Sequence, residues 1–249
     1  LTLLIYKQLT VREQYLQVIV NGKINEVFTP TAKGFTPTGR VQTMIELKEG
    51  ANEIILTNPV VTAADSSFIQ YRRMGNALKA AAHKTAVEKG TREKPILFSI
   101  CEWGMAFPWH WGSRAGNMWR TTPDINASWK SIHLIYNHNI KLYKYACPGA
   151  WNDPDMLEVG NGKLTDNENK THFSLWCMMA APLILGNDVR LLVGSDGAPI
   201  ENHPVLKTVT NRNLIAIDQD ELGKPAKRLK KIHGIDTVSY THLTLPTIC

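Results

Sequence analysis

Tyr15-Leu16-Gln17-Val18-Ile19-Val20 is a run of β-branched and aromatic residues, and the Asn21-Gly22 that follows is a strong signal for a two-residue hairpin turn. Val41 to Leu47 alternates apolar and polar positions with period two, which predicts a strand. Lys48-Glu49-Gly50-Ala51-Asn52 reads as a turn, and Asn52 to Leu56 opens a further strand that Asn58-Pro59 breaks. Short strands between Gly and Pro turns predict part of a β-sandwich over 1–62. At Ser67 the period changes. Tyr71, Met74, Leu78, Ala81 and Ala82 recur at helical spacing, which predicts an amphipathic helix over 68–89 closed by Gly90.

Beyond that helix, apolar runs alternate with helical patterns. Strands are expected at 95–100, near 118–122, at Tyr143 to Cys147 and at Pro182 to Gly186. Helices are expected after Asn126 as cap, with Trp129, Ile132 and Ile135 on one face, over 168–181, and from His203-Pro204-Val205. This alternation predicts a parallel α/β layout of about four strand–helix units over 63–222. Four units are half of an eight-unit barrel.

Composition narrows the class. Hydrophobic residues make up 43% and charged residues 20%, which excludes a disordered chain. No apolar run approaches the roughly 20 residues of a membrane helix, so no membrane span is expected. There is no signal-peptide pattern, but the chain opens on Leu1 rather than Met, so its compartment stays open. Cys101, Cys147, Cys177 and Cys249 have neither paired nor metal-ligand spacing, and the histidines show no HxH or HExxH, so neither a disulfide framework nor a zinc site is expected. The net charge of +6 concentrates at Lys224, Lys227, Arg228, Lys230 and Lys231. Without interleaved aromatics or a helix face, that run reads as a solvated connection and not as a nucleic-acid surface. All seven Trp fall between 103 and 176, as in a dense core or a site that stacks on a flat partner such as a sugar ring.

In a parallel barrel the chemistry collects where strands end, and the polar residues sit there. Cys101-Glu102-Trp103, Arg120 with Asp124, Asp153 with Asp155, and Asn187-Asp188 each follow an expected strand. Acids beside Trp at strand ends suit carbohydrate chemistry, in which one carboxylic acid protonates a leaving oxygen, a second carboxylate attacks or activates water, and aromatics hold the ring. On the residues alone, Asp124 also reads as a helix-start residue, Asp153 and Asp155 as turn formers around Pro154, and Cys101 as a buried thiol with no base beside it.

The text Pro95-Ile96-Leu97-Phe98-Ser99-Ile100-Cys101-Glu102-Trp103-Gly104, Gly116 to Ile125 (GNMWRTTPDI), Pro148 to Leu157 (PGAWNDPDML), Trp176 to Asp188 and Ile215 to Asp220 resembles glycoside hydrolase family 27, the α-galactosidases or melibiases, in order over about 68–231. The resemblance implies the C-terminal half of a (β/α)8 TIM barrel over 63–222 and the start of a small antiparallel β domain at 223–237. It implies retaining removal of terminal α-D-galactose from a galactoside substrate, with no metal and no organic cofactor. Asp124 matches the general acid/base. Arg120 matches a residue that binds a sugar hydroxyl beside the nucleophile. Cys101, Glu102 and Trp103 match the segment at the sugar's 2-hydroxyl side, Met156 lines the pocket, Asp153 and Asp155 shape its loop, and Trp151 joins the substrate-binding set. Residues 1–62 resemble, more weakly, part of a carbohydrate-binding sandwich inserted into the barrel.

The chain departs from the family in three places. The Lys-x-Asp-x-Cys segment that carries the nucleophile does not occur, nor does the upstream aromatic and paired-Asp part of the pocket. Gly116 stands where some relatives carry a Cys that pairs with the Cys of the CEW segment, so Cys101 is expected to form no disulfide. Residues 238–249 fit nothing in the family and are expected to be a non-native tail packing on nothing. The chain therefore reads as a fragment, inactive and poorly folded by itself. The alternatives are the same scaffold acting on an α-N-acetylgalactosaminide or a β-L-arabinopyranoside, and a non-catalytic carbohydrate-binding protein. Glu102 with Trp103 leaves less room for an N-acetyl group.

Overall fold

The structure, a computed structural model, describes residues 14–29, 43–59, 65–232 and 235–240. By contacts the chain divides into two compact units, the first running to Ile96 and the second beginning at Leu97. The expected boundary at 62/63 lies outside the described residues.

In the first unit, strands β1 (Gln14–Val20), β2 (Lys23–Thr29) and β3 (Ile54–Thr57) form an antiparallel sheet in the order β2-β1-β3. The hairpin turn is the expected one. Asn21 and Gly22 take φ of 50° and 84°, the left-handed pair that matches strand twist. The Asn21 Oδ1 also accepts the Glu53 amide at 3.0 Å, which pins β3 to the turn. The strand expected at 41–47 does not form over its described part. Residues 43–48 join no ladder: Ile45 packs against the Val18, Val20 and Val27 cluster, but Met44 is 94% exposed and Leu47 58%. Val41 and Gln42 lie outside the described residues.

Helix α1 (Asp65–Lys89) packs on this sheet. Tyr15, Phe68 and Ile69 are buried, with the Tyr15 and Phe68 rings edge to face at 4.8 Å. Beside them the Glu26 carboxylate accepts from Tyr15 Oη at 2.6 Å and from Arg72 Nε at 3.0 Å. Burial raises the Glu26 pKa, but these hydrogen bonds and the Arg72 charge outweigh it and hold the carboxyl below its ordinary range. Gly90, at φ 59°, ends the helix as expected.

In the second unit, β4 (Ser99–Ile100), β5 (Met118–Arg120) and β6 (Trp151–Asp153) form a parallel sheet in sequence order. A parallel bridge joins Leu157 to Leu185, with Leu157 N–H donating to Ile184 O at 2.7 Å. The expected strand at 182–186 is thus one bridge, and the strand at 95–100 pairs only at its last two residues. The expected strand at 143–147 is absent. There α2 (Trp129–Asn139) runs straight into a 3-10 turn, Ile140–Tyr145, whose Leu142 carbonyl accepts from Asn152 Nδ2 at 2.9 Å. Ser128, not Asn126, caps α2. Its Oγ accepts from Ser131 N, while Asn126 accepts from Ser128 Oγ. Ile132 and Ile135 are buried, but Trp129 is 37% exposed and stacks on His133.

Helix α3 (Asp166–Met178) starts with a capping box between Thr165 and Glu168. Two short helices follow, α4 (Pro204–Val209) and α5 (Arg212–Asp218). Their core joins Ile132, Ile135, Leu157, Val159, Phe173 and Trp176.

The end of the chain corrects two expectations. The basic run is exposed to solvent as expected, but from Lys227 it is a strand and not a connection. It forms β7 (Lys227–Ile232), paired antiparallel with β8 (Ile235–Ser239). Val238 and Ser239, expected in a tail that packs on nothing, pair with Arg228 and Lys227, and the next residue, Tyr240, donates its hydroxyl to Asp220 Oδ2 at 2.9 Å. Leu243, Leu245 and the rest of 241–249 lie outside the described residues.

Candidate active site

The parallel register sets the site. Ile100, Arg120 and Asp153 end their strands on the same side of the sheet, so the segments that follow them emerge together. Glu102, Trp103 and Gly104 fold back in a turn in which Met105 N–H donates to Glu102 O at 2.8 Å. A Cβ at Gly104 would strike the Thr121 carbonyl, so this turn lies against the end of β5, beside Arg120. Trp103 holds a left-handed backbone at φ 50° and is 49% exposed. Cys101 is exposed, not buried as its place after an apolar strand suggests. A Cβ at Gly116 would lie 2.7 Å from the Phe98 carbonyl, so the close approach of those two backbones requires glycine there.

Arg120 is the centre of the polar cluster. Its side chain is 11% exposed, and one guanidinium nitrogen reaches Asp155 Oδ2 at 2.6 Å and Asp124 Oδ1 at 3.0 Å. The two acids differ in commitment. The Asp155 carboxylate also accepts the Ile125 amide at 2.8 Å and the Met156 amide at 2.7 Å, and its carbonyl accepts Trp176 Nε1 at 2.8 Å. Asp155 does this from a strained backbone with φ of 84°. The Asp124 carboxylate is 66% exposed and open to a ligand.

Asp153 is 4% exposed, and its Oδ1 accepts the Asp155 amide at 2.8 Å. Burial pushes the Asp153 carboxyl up, partly offset by that amide and by Arg120. Met156 sits against Gly186, where an added Cβ would lie 2.6 Å from its sulfur.

Two expected members stand apart. Trp151 begins β6, at the other end of the strand from Asp153. It lines a separate cavity of about 290 Å3 with Pro148, Ala181, Asp218 and Gly223. Asp188 turns to Arg190, at 2.7 Å, and caps a 3-10 turn. The residue that sequence reasoning undervalued is Asp155. The Asp-x-Asp spacing was its visible signal, but its reach to Arg120 and Ile125 depends on the positive φ. Among the described residues no group of His, Cys, Asp and Glu could hold a metal ion. No helix there is long and apolar enough to cross a membrane.

Residues 71–220 match the profile of the family described as Alpha galactosidase A (Melibiase_2), and the chain belongs to that family. It is 39% identical over 174 residues to the alpha-galactosidase of Oryza sativa subsp. japonica, a match covering 70% of this chain and 37% of the relative. Among solved structures, alpha-galactosidase I from Mortierella vinacea matches with a TM-score of 0.60 at 29% identity, covering 74% of this chain and 46% of that one. The Saccharomyces cerevisiae α-galactosidase solved with raffinose matches with a TM-score of 0.53 at 31% identity, over 70% of this chain and 39% of that one. The chain spans about a third of the length of the curated relatives it matches.

Proposed function

We propose that the whole protein carrying this chain is a retaining glycoside hydrolase that removes terminal α-D-galactose from galactosides, with Asp124 as general acid/base. The observation that carries the reading is the contrast between two carboxylates on one guanidinium. Asp155 is buried and bonded on both oxygens, whereas Asp124 projects from the strand-end face with its side chain 66% exposed. A group that must give a proton to a leaving oxygen and later take one from water needs that access. Arg120, anchored by Asp155, holds Asp124, and the family resemblance is what supports a sugar hydroxyl as its further partner. Glu102, Trp103 and Met156 wall the sugar, with Trp103 as the flat apolar face.

Retaining chemistry needs a second carboxyl about 5–5.5 Å from the acid. Asp155 and Asp153 are committed to structural bonds, so the nucleophile is assigned to residues of the whole protein outside this chain. In that reading 63–222 supply the second half of a (β/α)8 barrel, 1–62 an inserted carbohydrate-binding-like sandwich, and 223–237 the start of a C-terminal β domain. The raffinose bound by the yeast relative supports a galactoside as substrate.

The test is Asp124→Asn in the whole protein. Turnover of raffinose should fall roughly 10²–10⁴-fold, as for loss of a general acid. Turnover of p-nitrophenyl α-galactoside should fall less, because its leaving group needs less protonation. An Asn variant that folds and cleaves raffinose at the parent rate overturns the assignment.

A further inference from the structure

The basic run that sequence pattern assigned to a solvated connection forms one wall of a groove. Strand β7 supplies Arg228, Lys230 and Lys231, and the segment from the end of α2 supplies Asn137, Lys141 and Tyr143, around a cavity of about 530 Å3. The aromatic residues missing from the run in sequence arrive in space. Lys227 lies over the Tyr143 ring at 5.7 Å, Arg228 over Tyr136 at 5.5 Å and Lys144 over Tyr145 at 5.0 Å. One cation is committed. Arg228 is largely buried, donates to Asn137 at 2.8 Å and pairs with Asp236 at 3.5 Å. Lys141, Lys144, Lys227, Lys230 and Lys231 are exposed, and among the described residues none of them has a carboxylate within ion-pair distance. Uncompensated like charges on one surface repel one another, and an anion with several charges relieves that repulsion.

We propose that this groove binds an acidic polysaccharide through its carboxylate or sulfate groups, as a second carbohydrate site separate from the candidate active site. Its position supports the separation. It lies at the C-terminal end of α2, whose eleven residues span roughly 16 Å from the Asp124 end. The chemistry favours a polysaccharide over a single-stranded nucleic acid. A nucleic-acid channel needs bare aromatic faces on which bases stack, and of these three rings only Tyr143 lines the groove, with Lys227 over it, while Tyr136 is buried. The proposal does not depend on the catalytic reading, since none of its residues belongs to the Asp124 cluster.

The test is binding by the whole protein that carries this chain to polygalacturonate, dextran sulfate, neutral dextran and oligo(dT), compared with a Lys141→Ala/Lys230→Ala/Lys231→Ala variant whose fold is checked by circular dichroism and thermal melting. These lysines are exposed, so the variant should fold as the parent does. The parent should bind one or both acidic polysaccharides and not neutral dextran, with affinity falling as salt rises. The variant should bind at least about tenfold more weakly, with a shallower salt dependence. Failure to bind either acidic polysaccharide, unchanged affinity in the variant, or binding to oligo(dT) in preference to both overturns the proposal. An active enzyme that binds neither would sink this site alone, and an inactive protein that binds would leave this site standing.

Discussion

Asp155 is expected to be the most expensive residue of the site to remove, although it is not expected to touch the sugar. Its carboxylate is the buried partner of Arg120, with the two side chains 12% and 11% exposed. It also accepts two backbone amides, Ile125 N–H and Met156 N–H. Asp155→Ala leaves Arg120 with the exposed Asp124 and the Thr122 carbonyl, and takes this acceptor from both amides. Breaking a buried pair from one side costs about 3–5 kcal/mol. The amides belong to the same buried node, so their loss is part of that figure rather than a separate addition. Asp155→Asn keeps one oxygen for an amide and loses the charge, for which about 1–3 kcal/mol is expected. The backbone adds a second contrast. At φ of 84° Ala is strained and Gly is not, so Asp155→Gly should be about 1 kcal/mol less damaging than Asp155→Ala.

Asp188 supplies the control. It pairs with Arg190 at 2.7 Å on the surface, with Arg190 86% exposed, and Asp188→Ala should cost clearly less than Asp155→Ala, because water screens an exposed pair. The assay is urea unfolding of the whole protein followed by tryptophan fluorescence, with each variant extrapolated to zero denaturant. If Asp155→Ala costs no more than Asp188→Ala, the buried-node argument is wrong. If Ala and Gly at 155 are equal, the strain argument is wrong and the node survives.

Three further outcomes are expected. Burial pushes the Asp218 carboxyl from its ordinary 3.8 up to about 7, against the opposing hydrogen bond from Gln219. The proton is therefore held more tightly in the folded state, and stability present below pH 4 is lost as pH rises to about 7. The loss should be about 2–4 kcal/mol. Asp218→Asn should flatten that dependence in unfolding measured at pH 4.5 and pH 8, and a parent equally stable at both refutes it. Gly112→Ala would place a methyl 2.5 Å from the fully buried Trp119 indole, so about 1–3 kcal/mol of overpacking should appear as a lower melting temperature. Thr165→Ala removes the capping box of α3 and should cost about 1 kcal/mol by the same measurement.

What was legible in the sequence was whatever local chemistry decides. Asn21-Gly22 specifies its turn because two successive positive φ values suit few other dipeptides, and the turn formed. The extent of helix α1 was legible from its helical spacing and its terminal Gly90, but its buried face was not: Met74 is 53% exposed, and Phe68, Ile69 and Ala86 are the buried residues. Arg120 and the acids were legible as strand-end groups because the parallel pattern implies one active face, and the register brings Arg120, Asp124, Asp153 and Asp155 there. The failures share a cause. Val41 to Leu47 has a strand's alternation, but pairing requires a partner edge and an apolar surface that Met44 and Leu47 do not find. Tyr143 to Cys147 has a strand's composition, but α2 continues through it as a 3-10 turn fastened to Asn152.

Charge and aromatic patterns fail in the same way when their partners are remote in sequence. Lys227 to Lys231 looked like a bare connection because Tyr143 and Tyr136 lie 84 and 92 residues upstream of Lys227 and Arg228. Trp151 joined the substrate-binding set through the resemblance, two residues before Asp153, yet two residues along a strand is roughly 6–7 Å, enough to carry it away from the strand end where Arg120 and Asp153 lie. Asp155 marks the limit most clearly. Its residue type permits a turn, an ion pair or a nucleophile. Only the left-handed backbone turns its carboxylate back onto Arg120 and the Ile125 amide and makes it the buried anchor of that guanidinium.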